Sequence, residues 1–466
     1  MEDIGLLVIG PKYSQNISTV LAHASSVISR KLYVKVATEL DLFEILLQVY
    51  RNASTICEGL DVRVIIDNKQ ERTFEKVICE DEFIDCNRKI QKPFDAVVLG
   101  GTFDRLHSGH KVLLSKAVML ASERIVCGVT TGDMIRRKVL WELMEPLEKR
   151  LEAIRDFVED VSNNVRCEMH PILDPYGPSI VDPDLKAIIV SSETEKGGHA
   201  VNERRREKNL PILNLIKVEL LDGEDQLLDE YKLSSSTQRR KLLGTFLKPL
   251  KFDILPRPFV IGLTGGIASG KTHAANYLAK NGCEYYTSSF LLVINCDKLA
   301  HELYQKGTAM ASRIAAEFGD NVVHNGVVDR RALGRIVFAD KAKLQLLNSI
   351  VWPCLKARVI KIISQSAVEF IVVEAAVLVQ AGWHSDGTIH HVWSCIIPPN
   401  VAKERIIERD HLTPKEAEER LQSQMDNLEL VKQSDVVICS LWQKEETERQ
   451  LLFALSTLRS YANRHP

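Results

Sequence analysis

The second half of the chain is organised around one stretch, Gly265-Gly266-Ile267-Ala268-Ser269-Gly270-Lys271-Thr272. This stretch matches the phosphate-binding loop pattern of glycine, four residues, glycine, lysine and serine or threonine. The apolar run 259–263 before it is typical of a buried parallel strand, and residues 272–280 after it are predicted as a helix that ends at 281–282. These flanks argue against the alternative, a chance glycine turn. A strand, a glycine turn and a helix start together form a nest of backbone N–H groups that binds polyphosphate.

The loop predicts an ATP site in which each residue type has a chemical role. Lys271 would reach the outer phosphates as a catalytic residue, and the hydroxyl of Thr272 would bind Mg²⁺. The glycines let the backbone approach the phosphates closely. The predicted ATP-binding residues of the loop are Gly265, Gly266, Ser269, Gly270, Lys271 and Thr272.

Composition limits the class of protein. A chain of 466 residues is long enough for about two to four domains. The net charge of −2, without a basic excess, does not indicate a nucleic-acid partner, so small-molecule substrates are expected. The ten cysteines are scattered without a Cys-x-x-Cys pair, which favours buried thiols in a reducing compartment over disulfides or zinc.

The sequence shows neither a signal or transit peptide nor an apolar run of transmembrane length. We therefore expect a soluble cytoplasmic protein. Protein partners, and any association with the mitochondrial surface, cannot be read from the sequence.

Residues 1–92 show an alternation of strands and helices. Strands are predicted at 6–9, 32–36 and 62–66, and a helix start at 38–41. This segment contains no catalytic constellation, so a small α/β domain with a structural or regulatory role is expected.

A second glycine-rich turn follows a predicted strand at 95–99. It reads Gly100-Gly101-Thr102-Phe103-Asp104-Arg105-Leu106-His107-Ser108-Gly109-His110 and leads into a helix. Because a helix start attracts anions, His107 and His110 are candidate donors to phosphate oxygens. The alternatives are metal ligands or ordinary polar helix residues. Metal is disfavoured because no carboxylate or thiol completes a ligand set.

The segment Gly100–His110 resembles the His-x-Gly-His motif of the nucleotidyltransferase superfamily, and the wider region resembles eukaryotic-type phosphopantetheine adenylyltransferases. The other matching stretches are 128–130 with Lys138, 174–178, 190–194, and 232–237 with Arg239 and Arg240. The resemblance implies direct attack of the 4′-phosphate of phosphopantetheine on ATP, without a protein nucleophile. Positioning and charge stabilisation can supply the rate, because phosphate is already a nucleophile.

The same resemblance implies roles for individual residues. His110, then His107, would bind the ATP phosphates as catalytic residues, and Thr102 and Lys138 would bind the acceptor phosphate. Further ATP contacts are predicted from Ser234, Ser235, Ser236, Thr237 and Arg239. For the serine run, a helix cap with ordinary turn chemistry is an equally good interpretation.

The region from Gly262 onward resembles dephospho-CoA kinases, which phosphorylate the ribose 3′-hydroxyl. The matching stretches are 262–272, 293–297 with His301, 318–319, 325–330, 337–338, 352–353, 370–376 and 404–410, with Arg420 and Gln424. A ribose hydroxyl is a poor nucleophile, so a carboxylate that orients it or accepts its proton is useful, and Asp297 is the candidate. The alternative for Asp297 is a helix N-cap.

Two successive helices in this region carry arginines that suit a lid over ATP. Arg405 and Arg409 lie four apart on one face and are predicted to bind ATP. A capping box at 413–416 opens the second helix, which is predicted to present Arg420 and Gln424 together.

Four departures from the kinase pattern are evident. Asn295 stands where the family usually has Asp, and Glu374 stands where Asp is common. Residues 285–292 resemble an insertion that could displace Asp297. Ala268 replaces a usual glycine, which is harmless only if its φ is negative.

The resemblances predict a multi-domain α/β protein. Residues 1–92 form the small N-terminal α/β domain, 93–247 a Rossmann-like nucleotidyltransferase domain, 248–257 a proline-containing linker, and 258–466 a P-loop kinase domain. This order resembles the bifunctional coenzyme A synthase family of animals, with ATP as co-substrate and Mg²⁺ as cofactor. Two alternatives stay open: a kinase half that serves only as a nucleotide-binding scaffold, or another nucleotidyltransferase fused to a nucleoside kinase.

Overall fold

The computed structural model describes residues 2–67, 72–81, 84–219, 235–284, 290–305 and 308–464. The chain forms two compact units, Met1–Arg240 and Lys241–Pro466. We call them the first and the second unit. Ser234 and residues 285–289 of the predicted insertion lie outside the described residues.

The first unit begins with a four-stranded parallel sheet, the N-terminal sheet. Its strands are β1 (Glu2–Ile9), β2 (Ile28–Val36), β3 (Asp61–Val64) and β4 (Lys76–Cys79), in the order β3-β2-β1-β4. Its helices are Pro11–Ser14, Ile17–Val27 and Leu42–Ile56. The predicted start of the last helix is confirmed, because the Asp41 side chain accepts a hydrogen bond from the Glu44 N–H. The sequence did not reveal β4.

A second parallel sheet follows within the same unit. Its strands are β5 (Phe94–Gly101), β6 (Ala121–Thr130), β7 (Arg166–Ile172), β8 (Ala187–Ser191) and β9 (Asn214–Val218), in the order β7-β6-β5-β8-β9. Its α-helices are Ser108–Leu120, Asp133–Arg136, Leu147–Val161, Glu195–Glu207 and Ser235–Lys241, and its 3₁₀ helices are Trp141–Leu143 and Gly177–Ile180. The strand order reverses between β5 and β8, which is where doubly wound sheets bind ligands. Both sheets contribute to one hydrophobic core, so the boundary at 92/93 stays a prediction.

The second unit contains a five-stranded parallel sheet. Its strands are β10 (Phe259–Gly265), β11 (Leu291–Asn295), β14 (Phe370–Glu374), β15 (His391–Ile396) and β16 (Val436–Cys439), in the order β11-β14-β10-β15-β16. A short antiparallel pair is formed by β12 (Val323–His324) and β13 (Val327–Val328). The α-helices are Lys271–Glu284, Cys296–Leu303, Ala309–Phe318, Arg330–Phe338, Lys341–Gln365, Pro399–Asp410, Pro414–Gln422, Asn427–Gln433 and Lys444–Arg464, with a 3₁₀ helix at Asp320–Val322.

Two local details of the second unit differ from what the sequence predicted. The helix after the phosphate loop does not end at 281–282 but continues to Glu284, because the Asn281 amide donates to the Tyr277 carbonyl and does not cap the helix. The predicted linker packs within this unit: the Phe252 ring lies edge-on to Phe259, and its carbonyl accepts from the Tyr461 hydroxyl. No helix among the described residues has the length and hydropathy needed to cross a membrane.

Two candidate nucleotide sites at the carboxyl edges of the sheets

The first site lies where β5 ends and the helix Ser108–Leu120 begins. His107 is the N-cap residue of this helix, with extended backbone, and His110 lies in its first turn. The two imidazole rings stack with centroids 3.8 Å apart and planes 28° apart. The structure therefore brings together the two histidines that the sequence selected, at the end of the helix that favours anions.

The surroundings of both histidines disfavour the charged form of the imidazole. Burial lowers the pKa of His107 to about 4, and the charges of Lys111 and Arg239 add to this effect, while Asp104 opposes it. Burial also holds the pKa of His110 well below its usual value, with help from His107 and Lys138. Among the described residues, the Nδ1 atoms of both rings are buried without a hydrogen-bond partner. An imidazole N–H at either of these unpaired positions could donate a hydrogen bond to a phosphate oxygen.

The lowered pKa of His107 makes the stability of the first unit sensitive to pH. The unfolded chain binds this proton near pH 6.5 and the folded chain only near pH 4, so the contribution is complete above 6.5 and is lost as pH falls towards 4. We expect the loss of melting temperature between pH 7.5 and pH 5 to be smaller in His107→Gln than in wild type. Thermal unfolding at both pH values tests this, with exposed His199→Gln as the control. Equal losses in wild type and His107→Gln would contradict the expectation.

A buried ion pair holds a second helix against the first site. The Arg239 guanidinium donates to the Asp104 carboxylate over 2.6 Å and to the Val139 carbonyl over 2.9 Å, and both charged side chains are almost fully buried. Ser235, in the same helix, lies 3.3 Å from both the Asp104 carbonyl and the His107 Nε2. Ser236 and Thr237 lie in the first turn of this helix. The structure thus assigns Arg239 an anchoring contact, and its predicted contact with ATP stays a prediction.

The predicted acceptor residues lie on neighbouring parts of the same edge. The Thr102 hydroxyl is 3.3 Å from that of Thr130 at the end of β6. Arg150, which the sequence did not reveal, is buried and donates to the Thr102 and Thr130 carbonyls over 2.7 and 3.0 Å. Arg150 sits in a charged helix, so its sequence surroundings are those of an ordinary surface residue. Lys138 is exposed, and its charge helps to lower the pKa of His110.

The second site is the phosphate loop between β10 and the helix Lys271–Glu284. The Lys271 ammonium donates to the Gly266 carbonyl over 2.6 Å and therefore lies across the loop. Burial lowers the pKa of Lys271, while the nearby Glu374 and Asp297 carboxylates oppose that shift. Asp297 is exposed in the first turn of the helix Cys296–Leu303, which directly follows β11 in the same parallel sheet as β10. The structure brings these two predicted catalytic residues to one edge of the sheet.

Ala268 does not have the negative φ that would make its replacement of glycine harmless. Its φ is +59°, in the left-handed region, where a side chain costs about 1–2 kcal/mol. The backbone turns here so that the N–H groups of the loop can converge. Glycine adopts this conformation without strain, whereas alanine adopts it with strain.

Ala268→Gly is therefore expected to stabilise the second unit by about 1 kcal/mol, after subtraction of the larger entropy of glycine in the unfolded chain. Thermal or chemical unfolding measures this difference. The matched control is Ala279→Gly at an exposed position of the helix Lys271–Glu284, which should destabilise by about 1 kcal/mol. If both substitutions destabilise equally, the strain at Ala268 is not released by glycine.

Glu374 links two of the departures noted in the sequence. Its carboxylate accepts from the Thr272 hydroxyl over 2.9 Å and from the Asn295 amide over 2.5 Å. Asn295 also caps the helix Cys296–Leu303, since its side-chain oxygen accepts from the Lys298 N–H. The alternative interpretation of Asp297 as the cap is therefore wrong. An ionised aspartate at 295 could not donate to Glu374, whereas the amide of Asn295 can. Asn295 and the longer side chain of Glu374 are therefore chemically compatible.

The Thr272–Glu374 pair fits Mg²⁺. A hydroxyl and a carboxylate oxygen 2.9 Å apart, at the end of a phosphate loop, are hard oxygen ligands. Within the described part of the chain, no group of three His, Cys, Asp or Glu side chains could hold a metal alone. Magnesium at this position would therefore take its other ligands from the nucleotide and from water.

Two side chains from later in the chain hold the loop. Ser440, which follows β16 and which the sequence did not reveal, donates to the Ser269 carbonyl over 2.9 Å. Arg405 donates to the Ser440 hydroxyl and carbonyl, over 2.9 and 2.7 Å, and to the Ala268 carbonyl over 3.3 Å. Arg405 thus contacts the phosphate loop itself, and its predicted contact with ATP stays a prediction.

The predicted lid residues divide into two groups. Arg409 pairs with both oxygens of Asp410, over 2.8 and 2.9 Å, and Arg420 donates to the same carboxylate. The capping box at Thr413 and Glu416 is confirmed. Gln424 does not share a helix face with Arg420, because the helix ends at Gln422. Its side-chain oxygen instead accepts from the Ile267 N–H over 2.7 Å, one of the loop donors that a phosphate would use.

Comparisons with known proteins agree with this geometry. Residues 98–240 match the family model for cytidylyltransferase-like proteins, and residues 259–442 match that for dephospho-CoA kinase. The phosphopantetheine adenylyltransferase of Methanopyrus kandleri is 42% identical over 147 residues, which cover 31% of this chain and 89% of that protein. The dephospho-CoA kinase of Shouchella clausii is 35% identical over 201 residues, which cover 42% of this chain and 96% of that protein. The chain belongs to both of these families.

Together the two families account for both glycine turns. The adenylyltransferase half carries the stacked histidines, and the kinase half carries the phosphate loop with Thr272 and Glu374. The phosphopantetheine adenylyltransferase of Saccharomyces cerevisiae is 35% identical over 156 residues, which cover 34% of this chain. The chain spans about half the length of that protein and of a Schizosaccharomyces pombe relative, at 51% and 52%.

Proposed function

We propose that this protein carries out the last two steps of coenzyme A synthesis. In the first, ATP adenylylates 4′-phosphopantetheine to dephospho-CoA, and in the second, ATP phosphorylates the 3′-hydroxyl of dephospho-CoA. The observation that carries the proposal is that one chain of both families holds a stacked histidine pair at one helix start and a phosphate loop, with its lysine and carboxylates, at another. Its proposed substrates are small molecules, and the proposed compartment in which it works is the cytoplasm.

Adenylyl transfer at the first site needs no protein nucleophile. A phosphate oxygen of phosphopantetheine attacks the α-phosphorus of ATP, and the bond from that phosphorus to the bridging oxygen breaks and releases pyrophosphate. His110 and His107 would donate to ATP phosphate oxygens, while Thr102 and Lys138 would hold the acceptor phosphate. Because the imidazoles lie in a desolvated site, their donor groups act with little screening on the charge that builds up in the transition state.

Phosphoryl transfer at the second site uses a hydroxyl nucleophile. The ribose 3′-oxygen attacks the γ-phosphorus, the bond to the β–γ bridging oxygen breaks, and ADP leaves. Asp297 would orient the hydroxyl and accept its proton, while Lys271 and Arg405 would bind phosphate oxygens. Magnesium, when bound by Thr272 and Glu374, would neutralise phosphate charge.

A second candidate function keeps only adenylyl transfer and uses the kinase half as a nucleotide-binding scaffold. Asn295 favours it, since an amide replaces a carboxylate beside Asp297. The hydrogen bond from Asn295 to Glu374 weighs against it, because that bond holds the carboxylate next to Thr272.

The test is a substrate panel with the purified full chain, ATP and Mg²⁺, followed by chromatography and mass spectrometry. The proposal expects phosphopantetheine to yield dephospho-CoA, pyrophosphate and then CoA. Dephospho-CoA without CoA would support the scaffold function. Transfer only to another acceptor, such as nicotinamide mononucleotide, would identify a different nucleotidyltransferase and overturn the proposal.

A further inference from the structure

The residue directly after His110 is held by the N-terminal sheet. Lys111 is buried, with 9% of its surface exposed, and its ammonium donates to the Asp61 carboxylate over 2.6 Å and to the Val62 carbonyl over 2.9 Å. Its backbone N–H donates to the His107 carbonyl, so Lys111 lies in the same helical turn as the stacked histidines. A side chain in the first turn of the proposed catalytic helix is thus bound to β3.

Asp61 is itself held by a second cation. The Arg63 guanidinium pairs with Asp61 over 2.9 Å and continues to Asp160 over 2.5 Å and to the Asp156 carbonyl over 2.8 Å. Burial opposes the charge of Asp61, but Lys111 and Arg63 more than offset it and lower the pKa of the carboxyl. This network connects β3 with the start of one helix and with the end of the helix Leu147–Val161. The Asp61 side chain is 33% exposed, and we expect this network to fix the geometry of the three elements more than it stabilises the fold.

Two further contacts join the N-terminal part of this unit to the helices Ser108–Leu120 and Leu147–Val161. The Lys116 ammonium, in the helix Ser108–Leu120, lies 3.9 Å from the centre of the Phe43 ring in the helix Leu42–Ile56. The Ile66 N–H, beyond β3, donates to the Val161 carbonyl over 2.9 Å. The N-terminal sheet is therefore part of the body that carries the first site.

Among the described residues, side chains of the chain itself fill the crevice of the N-terminal sheet. The Glu80 carboxylate accepts from the Lys12 and Tyr13 N–H groups, over 3.2 and 2.5 Å, at the turn after β1. A side chain at Gly10 would overlap Glu80 and Ile84. Arg88 donates to the carbonyls of Ala37, Thr38 and Leu40 after β2. The chain itself thus occupies the edge at which parallel sheets bind nucleotides.

We propose that the N-terminal sheet is a positioning domain for adenylyl transfer, in which Asp61 and Val62 hold Lys111 and thereby orient the helix turn that carries His107 and His110. The inference rests on the proposed function of the first site. Lys111 and Asp61 are positioning residues, since they act through the histidines. Small displacements of reacting groups cost up to about 100-fold in rate, so loss of this link should reduce turnover more than substrate binding.

Asp61→Asn in the full chain tests the inference. We expect kcat for dephospho-CoA formation to fall about 10- to 100-fold, with KM for ATP and phosphopantetheine changed less than about twofold. CoA formation from supplied dephospho-CoA, by the second unit of the same molecule, should be unchanged and measures the enzyme concentration, while the melting temperature shows whether the first unit is folded. If wild type makes no dephospho-CoA, the proposed function itself fails. The positioning inference alone fails if wild type makes dephospho-CoA and the folded variants make it with the same kcat.

Three further variants separate positioning from folding. Asp156→Asn changes a partner of Arg63 that is more exposed than Asp61 and leaves the contacts of Lys111 in place. This variant should keep full kcat. Lys111→Arg keeps a cation at Asp61 and should retain a higher kcat than Lys111→Met. Lys111→Met leaves Asp61 paired with Arg63, so it remains informative if Asp61→Asn does not fold, and it should lower kcat in the same way. A folded Lys111→Met enzyme with wild-type kcat would overturn the inference.

Discussion

Lys271→Ala should stop the proposed reaction sequence at dephospho-CoA. We expect the rate of CoA formation to fall about 100- to 1,000-fold, the loss seen when one preorganised donor is removed from a transition state. The ammonium donates to the Gly266 carbonyl and is acted on by the charges of Glu374 and Asp297, so its removal takes a cation away from the proposed phosphoryl-transfer centre. Formation of dephospho-CoA should be unchanged, and dephospho-CoA should accumulate, which mass spectrometry of a single reaction shows.

The control for Lys271→Ala is Lys343→Ala, a lysine exposed on the helix Lys341–Gln365. This control should retain both activities. If Lys271→Ala makes CoA at the wild-type rate, the phosphate loop is not the phosphoryl-transfer site. If wild type and Lys271→Ala both stop at dephospho-CoA, the kinase half acts as a scaffold.

His110→Ala should block the first step instead. We expect dephospho-CoA formation to fall about 100- to 1,000-fold, because the variant loses one donor and also the ring against which His107 stacks at 3.8 Å. Supplied dephospho-CoA should still be converted to CoA at the wild-type rate. The two variants, mixed in one reaction with phosphopantetheine, should together restore CoA formation, provided that dephospho-CoA leaves the enzyme.

The control for His110→Ala is His199→Ala, an exposed histidine on the helix Glu195–Glu207 of the same unit. Melting temperatures of both variants show whether the lost ring has unfolded the first unit. A folded His110→Ala enzyme with full adenylyl transfer would exclude the stacked histidines from catalysis.

Much of the fold was predictable because the strands of parallel sheets are continuous apolar runs. The strands that flank both glycine turns, β5 and β10, were expected within two residues at each end. In contrast, β4 was missed, since four residues of edge strand carry little periodic signal. The helix from Lys271 to Glu284 was predicted too short because Asn281 bonds to the preceding helical turn, a choice that the sequence leaves open.

The sequence also selected His107, His110, Lys271 and Thr272, because each belongs to a short motif whose backbone geometry is local. It did not reveal Arg150 or Ser440, whose contacts reach carbonyl groups in distant loops. An isolated arginine or serine has the same local sequence whether it is buried or exposed.

The sequence by itself determined the two families and the two glycine turns, since a strand, a glycine turn and a helix start are encoded within about 15 residues. Only the tertiary structure decided what each side chain pairs with. Asp104 and Arg239 are separated by 135 positions, Thr272 and Glu374 by 102, and Asp61 and Lys111 by 50. These pairs depend on strand order and on helix packing, which bring together segments that local periodicity cannot relate.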